Sequence, residues 1–308
     1  MIKGNQYLVL YSYGKRCNDF AICIRMLAKL EQFILFNLCK FSVNSVHGAR
    51  SRKRTLSYRL WGTSEDGKIE FESLTTETLE GALDVLRQSF LTGEAVCQAV
   101  NMLSDPDGMK DMEKLCLDAA KDGVSVVAID VATKSVVGVA FNKLQLPVTN
   151  GEKSGFQVFA ENCRGKSSKA LVEFMIDVDG RVNMFKHYNV GCIMEVAVLS
   201  TARSHQRRRI GELVVAASVE IGKELRRGKK VKTPVEIDKD ESINNEAAIP
   251  ILISATMTSF HSQKIAAKLG FDTLADVSFE EFEFENVKFS EKLGKEYPKS
   301  SLLVAKRL

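Results

Sequence analysis

Three consecutive arginines, Arg207, Arg208 and Arg209, stand between an apolar segment and the start of a helical pattern. Residues 192–199 are almost continuously apolar, which is typical of a strand buried on both faces of a sheet. Residues 211–227 carry apolar side chains at steps of four, which predicts a helix packed on that sheet. Free N–H groups at a helix N-terminus bind anions, and the arginines add formal charge. The segment therefore has the chemistry to bind a polyphosphate, although a solvated basic turn is the alternative interpretation.

This loop resembles motif A of the GNAT acetyltransferase superfamily, whose signature is Gln/Arg-x-x-Gly-x-Gly/Ala. The motif here runs from Gln206 to Gly211, and Arg209 occupies the position of the first glycine. That glycine normally lets the backbone approach the pyrophosphate closely. The resemblance implies that backbone amides of the loop bind the pyrophosphate of coenzyme A, and that the preceding strand holds the pantetheine arm. The residues assigned to the coenzyme are Val196, Ala197, Val198, Gln206, Arg207, Arg208, Arg209, Ile210, Gly211 and Glu212.

Two further segments extend the resemblance. Residues 253–271 are similar to motif B of the superfamily, in which a strand leads into a helix that ends in Leu-Gly-Phe. Residues 90–96 resemble a segment of the insect-type arylalkylamine N-acetyltransferases, including the dopamine N-acetyltransferases. Residues 121–130 and 136–142 are similar to the same family. The resemblance therefore extends from about Ile69 to the C-terminus.

The resemblance also assigns catalytic roles. Glu94 falls on the family's catalytic base, and Thr258 and Ser262 fall on its pair of motif B serines. Ala95 replaces the proline that follows the base in the family. By itself, Glu94 could equally be an exposed glutamate at the start of a helix.

The residues suit direct acetyl transfer to an amine. An alkylammonium has a pKa of about 10 and must lose a proton before it is nucleophilic, which a carboxylate such as Glu94 can accept. A backbone N–H of residues 196–198 would stabilise the oxyanion that forms on the acetyl group. The departing thiolate needs a proton, and the motif B segment has no tyrosine to supply it. Ser262, Thr258 or His261 could do so, although a lone histidine on a helix is more often a partly exposed surface residue.

These motifs predict an acetyl-CoA-dependent N-acetyltransferase. The expected acceptor is a small primary amine, an arylalkylamine such as dopamine, tyramine, octopamine or serotonin. An acyltransferase for polyamines or longer acyl chains is the alternative within the same class. A degenerate protein that binds coenzyme A or a protein partner without turnover is the alternative outside it.

The composition of the chain narrows the remaining structural and functional classes of protein. The 308 residues are 45% hydrophobic and 27% charged, as in ordinary soluble globular proteins. The seven cysteines form no CxxC pair and the four histidines no HxxxH pair, so neither a disulfide framework nor a metal site is expected. A reducing compartment, the cytoplasm, is the expected location. No uninterrupted apolar run approaches the roughly 18 residues of a membrane span.

The charge of the chain is uneven. Residues 1–54 hold ten lysines and arginines against two acidic residues, whereas residues 55–308 are mildly acidic. The body is therefore not expected to bind nucleic acid, and a basic nucleic-acid arm at residues 1–54 would need interleaved aromatics that the segment lacks. Residues 20–41 have apolar side chains at helical spacing, so this extension could be a mitochondrial leader or a poorly ordered terminus.

The elements predict an α/β protein with a mixed sheet and helices on both faces, which the resemblance specifies as the GNAT acyltransferase fold. Residues 55–308 are expected to form this single domain, as a monomer by resemblance, with residues 150–169 as a polar connection. The predicted strands are residues 69–74, 124–130, 135–145, 192–199, 249–256, 271–284 and 301–308. The first predicted helix starts at Thr75 or Thr76. The other predicted helices cover residues 96–122, with a break near 105–108, and residues 171–188, 211–227 and 259–269.

Overall fold

The computed structural model describes residues 59–148, 151–237 and 243–308. The N-terminal extension predicted for residues 1–54, with its possible leader at residues 20–41, lies outside the described residues and stays a prediction. Within the described ranges, no helix is both long enough and apolar enough to cross a membrane.

An eight-stranded mixed sheet forms the centre of the described part of the chain, in the order β1-β2-β3-β4-β5-β6-β10-β7. All neighbouring strands are antiparallel except β5 and β6, which are parallel. A separate two-stranded ribbon pairs β8 with β9. The strands are β1 (Leu60–Thr63), β2 (Ile69–Ser73), β3 (Val126–Asp130), β4 (Val136–Gln145), β5 (Ile193–Thr201), β6 (Leu252–Met257), β7 (Asp272–Ser278), β8 (Glu283–Phe284), β9 (Val287–Lys288) and β10 (Ser300–Arg307).

Helices cover both faces of this sheet, as predicted. On one face, α1, α3 and α5 bury their apolar side chains in one core cluster. On the other face, α7 packs with α8 in a second cluster. The helices are α1 (Thr76–Val85), α2 (Ala95–Ala99), α3 (Pro106–Ala120), α4 (Gly155–Asn162), α5 (Lys166–Gly180), α6 (Met184–Tyr188), α7 (Ile210–Arg226), α8 (Phe260–Lys268) and α9 (Phe289–Lys292).

The predicted strand–loop–helix around the arginines is confirmed as β5 and α7. Residues 193–196 of β5 are all buried, as expected for a strand covered on both faces. In α7, Val214, Ala217, Ile221 and Leu225 form the buried stripe. This arrangement aims the N-terminus of α7 at the end of β5.

The prediction for residues 150–169 was wrong. They contain α4 and the start of α5 rather than a polar connection throughout. A capping box starts α4: the Ser154 N–H donates to Gln157 Oε1 at 2.8 Å, and the Gln157 N–H donates to Ser154 Oγ at 3.2 Å. Phe156 and Ala160, one turn apart, are the only buried positions of α4, too few to produce a clear helical pattern.

Three other boundaries differ from the predictions. The predicted helix at residues 171–188 is two helices, α5 and α6. The predicted strand at 249–256 begins only at Leu252, because a turn at residues 244–247 and an irregular segment that contains Pro250 precede it. The predicted strand at 271–284 is divided, since Ser278 caps a single 3-10 turn that ends β7 and separates it from β8.

The buried Asp111 fixes the start of α5 against α3. Its Oδ2 atom accepts hydrogen bonds from the backbone N–H of Arg164 at 2.8 Å, from that of Gly165 at 2.9 Å and from Ser168 Oγ at 2.7 Å.

Asp111→Ala leaves these donors without an acceptor and is expected to lower the free energy of unfolding by about 2 kcal/mol. Urea denaturation measures the change. Asp111→Asn retains one acceptor oxygen and should lose less; equal stability of both variants would contradict this role.

Candidate active site

A cavity of about 630 Å³ opens where β5 and β6 diverge. The two strands are in register at three residue pairs only, the last of which is Glu195 with Ser254. Beyond this pair, β5 continues to Thr201 and β6 to Met257 without pairing to each other. The diverging strands therefore leave a wedge-shaped opening in the middle of the sheet, and the cavity occupies it.

Glu94 enters this cavity from the loop before α2. It is the N-cap of α2, where its Oε2 atom accepts a hydrogen bond from the Cys97 N–H at 2.8 Å. Its Oε1 atom accepts a hydrogen bond from Thr258 Oγ1 at 2.6 Å. A π-helical turn, Leu86–Phe90, precedes this loop, and such turns are frequent at functional sites. The carboxylate is thus held in one orientation while it lines the cavity.

Thr258 and Ser262 both line the cavity but have different partners. The Thr258 hydroxyl donates to Glu94, so the structure brings these two residues together. The Ser262 hydroxyl donates to the Ser259 carbonyl oxygen at 3.0 Å and accepts from the Ser259 N–H at 3.1 Å. Ser262 therefore completes the capping box of α8. The exposed His261 lines the same wall.

The arginine loop forms another wall, and its three arginines differ in their contacts. Arg207 and Arg209 line the cavity, whereas Arg208 is 3.6 Å from the Asp66 carboxylate outside it. Arg209 forms ion pairs with Glu65 at 2.7 Å and with Glu212 at 2.8 Å. Arg207 makes no ion pair with any of the described residues.

Arg209 is the N-cap of α7 and has a left-handed backbone with a φ of 61°. No side chain caps the backbone of the first turn of the helix, because the Arg209 guanidinium pairs with the Glu212 carboxylate, so the N–H groups of that turn remain available to an anion. Gly211 faces the cavity, and a Cβ there would lie 3.3 Å from Ile265 Cδ1. The loop thus fits a polyphosphate with backbone donors, one glycine and one unpaired arginine, and retains this fit despite the arginine at position 209.

Comparison with known proteins identifies the fold. No protein-family model matches the chain, and no curated protein matches its sequence. Solved structures match it over 78% of its length. Arylalkylamine N-acetyltransferase 2 from Aedes aegypti has 21% identity and a TM-score of 0.59 over 98% of that chain. A mosquito arylalkylamine N-acetyltransferase like 5b has 18% identity and the same TM-score over 100% of that chain. A Drosophila melanogaster polyamine N-acetyltransferase has 12% identity and a TM-score of 0.59 over 100% of that chain.

The chain has the GNAT acetyltransferase fold. The fold class predicted from the two motifs is therefore confirmed. Within the GNAT fold, most residues predicted to contact the coenzyme line the cavity: Val196, Ala197, Gln206, Arg207, Arg209, Ile210, Gly211 and Glu212. Val198 instead packs in the core, and Arg208 lies outside the cavity wall.

Tyr297 was missed by the sequence analysis. It lies before β10, and its hydroxyl donates to the Gly93 carbonyl oxygen at 3.1 Å, next to the GNAT fold's diverging strands. Burial, and after it the Glu94 carboxylate, raise the pKa of Tyr297, so the phenol is protonated at neutral pH. Nothing in its local sequence marks it, because it meets Glu94 only through the tertiary fold.

Glu195, at the last residue pair of the parallel strands, was also missed. It is 3% exposed and lines the cavity. Burial raises its pKa to about 7, although Gln145 Nε2 donates a hydrogen bond to it at 2.6 Å. Asp179 of α5 lies beside it, and burial together with the Glu195 carboxylate raises the pKa of Asp179. The available signal was a glutamate inside the apolar run at residues 192–199.

Proposed function

We propose that the protein is an acetyl-CoA-dependent N-acetyltransferase that acetylates small primary amines, with arylalkylamines as its first acceptor class. The contact between Glu94 and Thr258 carries this proposal, since it places a fixed carboxylate in the cavity that the arginine loop also lines. The similar solved structures support it, because they are described as arylalkylamine and polyamine N-acetyltransferases.

Glu94 is the base in this proposal. Its carboxylate accepts a proton from the bound ammonium, directly or through a water molecule, and releases a nucleophilic amine. The amine nitrogen then bonds to the acetyl carbonyl carbon, and the carbon–sulfur bond to coenzyme A breaks. A backbone N–H of residues 196–198, on the edge of β5 that has no ladder partner, donates to the carbonyl oxygen as it gains charge.

The leaving thiolate then takes a proton from the cavity wall. Thr258 is the first candidate, because its hydroxyl contacts the carboxylate that has just gained a proton. Ser262 is less suited, since its hydroxyl proton is held by the Ser259 carbonyl. His261 and the protonated Tyr297 are the other groups on the wall that could donate.

The wall of the cavity that α5 forms supports this acceptor class. Leu171, Phe174 and Met175 give this side of the cavity an apolar surface suited to an aryl group or an alkyl chain. From the resemblance to the arylalkylamine enzymes we expect a monomer. The buried thiols of Cys97, Cys116 and Cys192 suit a reducing compartment such as the cytoplasm.

The test is thiol release from acetyl-CoA with a panel of amines that includes dopamine, tyramine, octopamine, serotonin and polyamines. We expect saturable release with the arylalkylamines and only background hydrolysis without an amine. Coenzyme A binding without turnover on any amine would instead favour the degenerate alternative. Absence of coenzyme A binding would contradict the assignment of the arginine loop.

The loop assignment makes a separate prediction. Arg207→Ala is expected to weaken coenzyme A binding about five- to tenfold, because Arg207 alone among the three arginines has no acidic partner in the described residues. Arg208→Ala and Arg209→Ala should change the dissociation constant less than twofold, since carboxylates already engage both side chains. Isothermal titration calorimetry at fixed ionic strength measures the three variants. Equal losses would show that the arginines act only as diffuse positive charge.

A further inference from the structure

Glu94 lies at a break between two helical segments. The π-helical turn Leu86–Phe90 and a short helical turn, Leu91–Gly93, precede it, and α2 follows it. At Glu94 itself the backbone is extended, with a φ of −75° and a ψ of 144°. The helix therefore does not continue through this residue, and the last carbonyl groups before it need donors other than the N–H groups of a next helical turn.

The peptide unit between Gly93 and Glu94 is held at both ends. Its N–H group donates to the Phe90 carbonyl oxygen at 2.9 Å, and its carbonyl oxygen accepts a hydrogen bond from the Tyr297 hydroxyl at 3.1 Å. Glycine adopts many backbone conformations, and a Cβ at position 93 would meet no heavy atom within 4 Å beyond its chain neighbours. The orientation of this peptide therefore depends on its hydrogen bonds, and Tyr297 supplies one from outside the loop.

The preceding residue, Thr92, is held in a similar way. Its carbonyl oxygen accepts a hydrogen bond from Gln98 Nε2 at 2.9 Å. Its hydroxyl accepts one from Arg203 Nη2 at 2.9 Å, and Arg203 belongs to the 3-10 turn that follows β5. A charged donor forms a stronger hydrogen bond than a neutral donor. Arg203 and Tyr297 thus attach the loop before Glu94 to two distant parts of the chain.

The position of the Glu94 carboxylate depends on the backbone that carries it. A proline at position 95 would restrict Glu94 to an extended conformation like the one it has, but residue 95 is alanine. The hydrogen bonds from Tyr297 and Arg203 supply a restriction that the alanine does not. Such a restriction matters for a base, because a displacement of about 1 Å at a catalytic group can lower the rate about 100-fold.

We propose that Tyr297 and Arg203 are positioning residues, which keep the Glu94 carboxylate in the orientation required for proton transfer. This inference rests on the proposed function, because Glu94 would act as the base. It gives the Tyr297 hydroxyl a role other than protonation of the departing thiolate, since the Gly93 carbonyl oxygen already holds its proton. In this role neither side chain needs to touch the amine or the acetyl group.

The test is a comparison of Tyr297→Phe in two backgrounds. In the wild-type background the substitution keeps the ring, removes the hydroxyl and is expected to lower kcat/KM for an amine acceptor about tenfold. In a Glu94→Gln background the same substitution should cost less than about twofold, because an absent base cannot be misplaced. Arg203→Ala should behave in the same way. Tyr188→Phe, which removes a phenol hydroxyl outside the cavity wall, should leave the rate unchanged.

An equal loss from Tyr297→Phe in both backgrounds would overturn the proposal, since it would show that the hydroxyl acts independently of Glu94. Full activity of both Tyr297→Phe and Arg203→Ala would overturn it as well.

Hydrogen exchange measured by mass spectrometry separates this inference from the proposed function. Without any substrate, amides of residues 90–98 should exchange at least about threefold faster in Tyr297→Phe and in Arg203→Ala than in the wild-type protein. Amides of β3, in the middle of the sheet, should exchange equally in all three proteins. This result would support the positioning role even if no amine were acetylated. Unchanged exchange in residues 90–98 would overturn it, whatever the activity.

Discussion

Replacing Glu94 with glutamine is expected to lower kcat/KM for an amine acceptor by about 100- to 1,000-fold. The amide oxygen can still accept the hydrogen bond from the Cys97 N–H, and the amide nitrogen can donate to the Thr258 hydroxyl, so the loop should keep its position. The amide cannot accept the proton of the ammonium. The residual rate of the variant should therefore rise with pH, as more of the free amine in solution is already neutral.

Initial rates of thiol release between pH 6 and pH 10 measure this effect. Glu296→Gln is the matched control, because Glu296 is an exposed carboxylate on the rim of the same cavity. We expect that control to keep most of its activity, and both variants to bind coenzyme A as the wild-type protein does. A Glu94→Gln variant that retains a third of the activity, or an equal loss in both variants, would exclude Glu94 as the base.

The second large effect concerns stability and its dependence on pH. Burial raises the pKa of Glu195 to about 7 from the ordinary glutamate value of 4.5. Because the folded state binds this proton more tightly than the unfolded state, the stabilising contribution is present below pH 4.5 and is lost as the pH rises to about 7. Glu195→Gln should therefore be more stable than the wild-type protein at pH 8, by on the order of 3 kcal/mol. The difference between the two should be small at pH 4.5.

Urea denaturation at pH 4.5, 6 and 8 measures this difference. Removal of the Glu195 charge also relieves Asp179, whose pKa it raises, so the gain comes from both groups. Glu283→Gln removes an exposed carboxylate and should show no comparable trend with pH. A Glu195→Gln variant that is less stable than the wild-type protein at pH 8 would contradict burial of an unbalanced charge.

The sequence was sufficient to predict an element where its local signals and its long-range packing favour the same conformation. Residues 192–227 combine an apolar strand, a polar loop and a helix with one apolar stripe, and the structure contains all three in that order. The two strands of the β3–β4 hairpin and the helix α8 were predicted for the same reason. Such segments have one favourable local conformation, and the core also needs that conformation.

Other features depend on contacts that no local pattern encodes. Thr258 and Ser262 were paired by resemblance, yet the end of β6 turns the Thr258 hydroxyl to Glu94 while the capping box retains the Ser262 hydroxyl. Asp179 gave no signal, because an acidic residue near the end of a helix is usually solvated. Glu195 lies on β5 and comes near Asp179 only because α5 packs on the sheet. Short helices such as α4 are also weak signals, since their caps contribute as much as their apolar faces.

The contacts that build the cavity join distant parts of the chain. Glu94 meets Thr258 across 164 residues, and Tyr297 meets Gly93 across 204 residues. Contacts between residues so far apart close long loops and form late in folding, because the chain loses loop-closure entropy before such contacts stabilise it. A nascent chain without residue 297 lacks the Tyr297 contact, and one without residues 300–307 also lacks β10, the strand that pairs with β6 and β7. Competence for catalysis and completion of folding coincide in time.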